Sequence, residues 1–323
     1  MSLRDSFFYV IGIAFLALAK SKNILLDYTP KSIGMSEIAS CIKYDINIAE
    51  RWLHQLQVYT HTDNYSSWQE RTRTRARFWL GDWHLSSFKR FSQYTACEIM
   101  DLMKSTPNSF YEQFFEKLES IKSEVSIDFL KRQLIETKAG NPSLLNFKVS
   151  NDFDIVSAVG ESTVDLVFSQ SAFELFDNIN ATISQLTTVC KPGAVLIVHI
   201  DLGTHTRWIV KKDPNNIYRY LSYVYKIFSF RGSPNRVRPF QYKEAFERLG
   251  WTDISISPIT KISDYDRSYS GMNKAFADNK NQMDYKSIYL YARKGKITWQ
   301  SHQFRLEIQN KLHCHPVMRY DNS

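Results

Sequence analysis

Val164-Asp165-Leu166-Val167-Phe168-Ser169 is a short, nearly continuous apolar run, and Ala194-Val195-Leu196-Ile197-Val198-His199-Ile200 is a second. Apolar runs of this length, rich in valine and isoleucine, read as strands buried on both faces. Between them, Ala181 to Val189 reads as a helix and Lys191-Pro192-Gly193 as the turn into the second strand. Strand, helix, strand at this spacing is the rhythm of an open α/β sheet. Downstream, Gln241 to Leu249 reads as a helix stopped by Gly250, a glycine placed just past the last helical turn. Ile254-Ser255-Ile256 and Ile288-Tyr289-Leu290-Tyr291 read as further strands.

The chain as a whole is ordinary for a globular protein. It has 323 residues, 43% apolar and 23% charged, with a net charge of +8. This excludes wholesale disorder, collagen and coiled coil, and it is enough chain for two domains. Four cysteines, Cys41, Cys97, Cys190 and Cys314, lie far apart with no CxxC, so a reduced, cytoplasmic protein is expected. Phe7 to Ala19 is an apolar run of thirteen residues, too short for a comfortable membrane span of ~20. A buried helix is its first reading; a signal peptide and a membrane anchor are the alternatives, since Ala17-Leu18-Ala19 resembles a cleavage pattern.

Residues 36–80 suggest two short helices and a wing. Ser36 is placed to cap a helix beginning Glu37-Ile38-Ala39, and Ile46 to Val58 carries Ile48, Trp52, Leu53 and Leu56 at helical spacing. A polar stretch, Thr60 to Ser67, and the alternating run Arg71-Thr72-Arg73-Thr74-Arg75-Ala76-Arg77 follow. From Phe110 to Leu134 the apolar residues form one stripe with a polar back.

Two further strings carry a resemblance. Val164 to Glu174, then Val189-Cys190-Lys191-Pro192-Gly193-Ala194-Val195-Leu196 followed by His199-Ile200-Asp201-Leu202-Gly203-Thr204-His205, resemble the second half of a class I S-adenosylmethionine (SAM)-dependent methyltransferase. Asn235-Arg236-Val237-Arg238 and the block from Tyr242 to Trp251 resemble a bacterial subgroup of that family. The likeness covers about residues 146–295. It implies that the Val164 strand is the fourth of the sheet, that Ala194 opens the fifth, that Gly250-Trp251 precedes the sixth, and that Ile288 to Ala292 closes the sheet in antiparallel. It also implies SAM as cofactor, lying beyond the carboxyl ends of the strands, where Ser169, Gln170 and Ser171 follow the fourth strand. Residues 7–80 resemble the winged-helix dimerisation domain of small-molecule O-methyltransferases, through Met35-Ser36-Glu37-Ile38-Ala39 and Arg51-Trp52-Leu53-His54-Gln55-Leu56.

A SAM site ordinarily needs an acid and a glycine-rich turn after the first strand, because glycine lets backbone approach the cofactor. This sequence has no such string. The best candidate is Arg77 to His84, with Gly81 and Asp82 in the turn and Asp101 placed to meet the ribose hydroxyls, but Trp83 stands where the second glycine belongs. A second candidate, Leu26 to Gly34, has Asp27 but replaces the glycines with Thr29 and Lys31. A third view makes 81–134 a helical linker with the first strands shortened or lost.

Candidate chemistry gathers after the fifth strand. His205, then His199, are the candidate general bases for O-methylation, because a histidine titrates near neutrality, and Asp201 is placed to orient either. Residues 211–248 hold nine Lys/Arg against three acids, interleaved with tyrosines. Arg231, Arg236 and Arg238 flank a Gly232-Ser233-Pro234 turn and are the candidate ligands of an anionic acceptor, since guanidinium forks suit carboxylate and phosphate. His313-Cys314-His315 with His302 lacks the paired spacing of a tetrahedral site, so no metal is expected.

The expected architecture is α/β: a Rossmann-like methyltransferase sheet preceded by a mainly helical winged-helix-like domain. Its parts are 1–80 (winged-helix-like, dimerisation), 81–145 (linker or degenerate first part of the Rossmann domain), 146–295 (α/β domain) and 296–323 (polar tail). The expected function is SAM-dependent O-methylation of a small-molecule, glycan-like or anionic acceptor by a homodimer. A catalytically inactive methyltransferase-like scaffold or regulatory binding protein is the alternative. Nucleic acid and membrane are not expected partners.

Overall fold

The computed structural model describes residues 2–26, 38–59, 94–98, 106–121, 126–141, 143–149, 154–230, 232–263 and 271–295. The polar stretch 60–67, the arginine run 71–77, both candidate glycine turns and the tail 296–323 lie outside the described residues.

The centre of the molecule is a four-stranded sheet of β3 (Val164–Gln170), β4 (Cys190–Asp201), β5 (Trp251–Lys261) and β6 (Tyr285–Lys294), in the order β3-β4-β6-β5. β3 and β4 are parallel; β6 is antiparallel to both β4 and β5. The closing strand therefore sits between the fifth and sixth strands of the expected scheme. A separate parallel pair joins β1 (Tyr94–Glu98) to β2 (Leu145–Val149). The boundary drawn at residue 145 falls on the first residue of β2.

Strand periodicity sorts the side chains into two cores. Leu166 and Phe168 of β3, Val195 and Ile197 of β4, and Tyr289 and Tyr291 of β6 face one way. Val167, Leu196, Val198, Ile288, Leu290 and Ala292 face the other. Because side chains alternate, both faces must be covered, which is why these strands read as unbroken apolar runs. The first face is covered by α2 (Ile38–Tyr59), α3 (Asn108–Ile121) and α4 (Ile127–Lys138). Trp52 of α2 stacks on Phe168, with ring centroids 4.9 Å apart and planes 2° apart. α5 (Ile155–Val159), α6 (Ile179–Val189) and α9 (Pro239–Arg248) cover the second face.

Three expectations are corrected. The two helices expected over 36–58 are one continuous helix, α2, of 22 residues, which turns Ile48, Trp52 and Leu56, spaced four apart, into the core. The apolar stripe 110–134 belongs to two helices, α3 and α4. Lys191-Pro192-Gly193 does not precede β4 but lies inside it: the register against β3 slips there, from Val164↔Cys190 to Leu166↔Val195. Gly193 absorbs the irregularity at φ 83°, a conformation other residues rarely adopt.

Between β4 and β5 the chain builds a separate platform: α7 (Arg207–Val210), a 3-10 turn (Asn216–Arg219) and α8 (Ser222–Phe228). α1 (Leu3–Leu26) docks on it, placing Leu16 against Ile217, Tyr218, Tyr220 and Tyr225. The expectation of a buried helix over 7–19 is corrected: Phe8, Gly12 and Leu16 are buried, but Phe7, Val10, Ala14 and Leu18 are exposed.

Candidate functional site

The site is built where parallel β3 and β4 end. β3 finishes on Ser169 and Gln170, both buried. Among the described residues neither Ser169 Oγ nor Gln170 Oε1 has a hydrogen-bond partner, although buried polar atoms are nearly always paired. Ser171 then turns the chain with φ at 50°, in the left-handed region. Its N–H donates to the His199 carbonyl at 2.9 Å, and its Oγ lies 2.9 Å from His199 Nδ1. A non-glycine residue held in this way is the kind of local strain that collects at functional sites.

The next turn, Phe173–Leu175, places Glu174 in the interior, 2% exposed. Both carboxylate oxygens lack a hydrogen-bond partner among the described residues. Burial pushes this carboxyl well above the ordinary carboxylate range, and the nearby Asp201 charge pushes the same way. The backbone amides of Glu174 and Asp201 offset part of that without forming a hydrogen bond of normal geometry. Glu174 Oε1 is 4.0 Å from His205 Nε2. Asn235 fixes the turn: its N–H donates to the Glu174 carbonyl at 2.6 Å, and its side-chain amide donates to the Phe173 and Phe176 carbonyls.

His199 and His205 sit at the end of β4 and in the loop after it. Desolvation drives His199 down to about 4; Asp201 opposes this and Arg51 reinforces it. Desolvation also lowers His205, against the pull of Asp201. Both rings are therefore neutral at neutral pH, and His205 is the more open, with a third of its side chain exposed. Asp201 Oδ1 accepts from the Gly203 N–H at 2.9 Å, which holds the loop in place. Above His205 lies a cavity of about 320 Å³, walled by Thr204, Ile217, Phe230 and Pro234 and roofed by Phe15 and Leu18 of α1.

The structure brings together Ser169, Gln170, Ser171, His199, Asp201 and His205. It removes Arg236 and Arg238 from the role of acceptor ligands. Arg238 is fully buried, donating to the Asn281 and Gln282 carbonyls and to Tyr218 Oη. Arg236 donates to the Tyr220 carbonyl and lies over the rings of Tyr225 and Phe276. Both guanidinium groups bind this chain's own backbone and aromatic rings instead of facing a cleft. Gly81, Asp82, Asp101 and Arg231 lie outside the described residues. β1 ends at Glu98, three residues ahead of Asp101.

Glu174 and the α1 roof are the parts that sequence reasoning missed. The signal for Glu174 was present: a lone carboxylate inside Ala172-Phe173-Glu174-Leu175-Phe176, directly after a buried strand. A carboxylate amid aromatic residues at a strand's carboxyl end is either paired or functional.

No family model matches the chain. No curated protein matches it either. Among solved structures it is similar to the CurJ carbon methyltransferase, at 12% identity and a TM-score of 0.37, over 70% of this chain and 50% of that one. It is also similar to a Haemonchus contortus phosphoethanolamine N-methyltransferase 2 in complex with SAM (14% identity, TM-score 0.39, 69% and 50% of the two chains). A Mesorhizobium loti SAM-dependent methyltransferase is similar at 11% identity and a TM-score of 0.36, over 68% and 90%. The chain spans half the length of the CurJ and Haemonchus structures.

Proposed function

We propose that this chain transfers a methyl group from SAM to a hydroxyl of a small, mainly apolar acceptor, with His205 as general base. One observation carries the reading. Ser169 Oγ and Gln170 Oε1 are buried at the end of β3 and unpaired among the described residues, in the same loop cluster as the neutral His205. Ligands of open α/β sheets bind beyond the carboxyl ends of the strands, and unpaired polar atoms there fit a polar cofactor.

Ser169 and Gln170 would hold the cofactor; when bound, SAM supplies a methyl group activated by its sulfonium. The acceptor occupies the cavity under α1, which is apolar and at the small end of ligand pockets. Its hydroxyl meets His205 Nε2, which accepts the proton. The Asp201 charge, which already raises His205, stabilises the imidazolium so formed. His199, hydrogen-bonded to Ser171, positions the loop that carries Ser169 and Gln170.

Calorimetric titration of the full chain with S-adenosylhomocysteine and SAM tests the reading, followed by transfer of labelled methyl to a panel of hydroxyl compounds. Gln170→Ala should weaken cofactor binding roughly tenfold, the value of one hydrogen bond. His205→Ala should leave binding intact and lower turnover by about 10²–10⁴. Asp201→Asn removes the charge that raises His205, so the acidic limb of the pH–rate profile should move to lower pH. A folded chain that binds neither compound sinks the proposal and leaves a methyltransferase-like scaffold as the reading.

A further inference from the structure

We infer that the outer face of α1 docks the protein onto an anionic phospholipid surface, with the helix lying flat in the interface. The inference is independent of the proposed methyl transfer. Leu3, Phe7, Val10, Ala14 and Leu18 follow one another at helical spacing and are all exposed, Phe7 by 57%, Val10 by 67% and Leu18 by 65%. Trp208, 78% exposed, extends the strip sideways from Phe15, with the ring centroids 6.1 Å apart. Several large apolar side chains in one exposed strip mark an interaction surface, and an interfacial tryptophan suits a bilayer edge.

Charge complementarity selects the partner. The one acid in α1 is Asp5, and it is buried on the inner face. The flanks carry Arg4, Lys20 and Lys22, and beside the amino-terminal end of α1 opens a cleft of about 510 Å³. Its walls include Arg4, Lys211, Lys212, Lys261 and Lys286. Lys261 of this set is paired with Asp284 at 3.1 Å. Apolar face, basic flanks and a tryptophan are the composition of an interfacial helix on anionic lipid. A second copy meeting the same face would bring these cations against their own kind.

Length and hydropathy alone would let Leu3–Leu25 cross a bilayer. The inner face forbids it. Asp5 is salt-bridged to buried Arg219 at 3.1 Å, Asn216 donates to the Phe8 carbonyl at 2.9 Å, and Lys20 donates to the Ile227 carbonyl at 2.6 Å. Crossing would strip Arg219, Asp5 and Asp213 of their shared burial, a cost no apolar face repays.

The test is co-sedimentation of the full chain with phosphatidylcholine vesicles, with and without about 30% phosphatidylglycerol, at low and high salt. Binding should be at least tenfold stronger on the anionic vesicles and should weaken with salt. Trp208 emission, read against Trp208→Phe, should shift to the blue on binding. Phe7→Glu with Val10→Glu should abolish binding while leaving the melting curve intact, since both side chains are exposed. Lys211→Glu with Lys212→Glu should weaken it at least tenfold. Absence of binding to anionic vesicles, equal binding to neutral ones, or a solution dimer that Phe7→Glu dissociates would each overturn the inference.

Discussion

Arg219→Met should cost about 3–5 kcal/mol at pH 7, and the cost should shrink as the pH falls. Arg219 is 1% exposed and lies between two carboxylates that are almost as deeply buried. Its Nε donates to Asp213 Oδ2 at 2.7 Å, one terminal nitrogen to Asp213 Oδ1 at 3.2 Å, and the other to Asp5 Oδ1 at 3.1 Å. Burial works against its charge, but the Asp213 hydrogen bond and both carboxylates outweigh burial and hold its pKa above the ordinary value. Methionine matches the volume and removes the cation, so the packing loss is small. The penalty comes from withdrawing the Arg219 cation from the buried Asp5 and Asp213 carboxylates, which in comparable settings costs about 3–5 kcal/mol, or roughly 4–7 °C in melting temperature at the usual unfolding entropy per residue. Buried carboxylates that have lost an opposing charge bind protons more tightly than unfolded ones. The folded variant therefore takes up protons on acidification, and its deficit against the wild type narrows between about pH 7 and 5. Urea unfolding followed by tryptophan fluorescence at both pH values measures this, with Trp208 beside Phe15 also reporting whether α1 stays docked. A deficit below about 1 kcal/mol, or one that does not change with pH, refutes the reasoning.

Three further outcomes follow from the geometry. Gly12→Ala should destabilise by about 2 kcal/mol in thermal melts, because a Cβ would collide with the hydrogen-bonded pair of Tyr220 Oη and Asn216 Oδ1, a clash larger than the ~1 kcal/mol that alanine gains in a helix. Wild-type stability should fall as the pH drops from 6.5 towards 4, since unfolded His199 binds a proton that the folded ring refuses. The contribution is at most about 3 kcal/mol, and His199→Gln should lack it in pH-dependent urea unfolding. Arg238→Lys should lower stability by roughly 2 kcal/mol, because one ammonium group does not reach the Asn281 and Gln282 carbonyls together. Calorimetry should show any cofactor affinity unchanged; a lost affinity would return Arg238 to the binding site.

The strands β3, β4 and β6 were legible because a strand covered on both faces has only one composition open to it, an unbroken apolar run. Helix α9 was legible for a similar reason, since Gly250 at φ 80° marks its end. The basic, tyrosine-rich stretch 211–248 misled because charge in a sequence says nothing of whether a side chain points inward. Arg219, Arg236 and Arg238 are spent inside the platform, on carboxylates, carbonyls and rings. Meanwhile Lys211 and Lys212, undistinguished in the sequence, line the open cleft.

Helix α1 shows the same limit from the apolar side. A thirteen-residue apolar run puts a buried helix first and leaves a leader or an anchor as alternatives, and its hydropathy does not show which side chains face inward. Three small features on one face do: Asp5, Gly12 and the Phe8 carbonyl, each of which has a mate in the platform. Those mates, Arg219, Tyr220 and Asn216, lie some two hundred residues away, beyond any local window. Once that face is fixed, the opposite face must look outward. The helix that roofs the cavity over His205 with Phe15 and Leu18 is then the helix that presents Phe7 and Val10 to the surroundings.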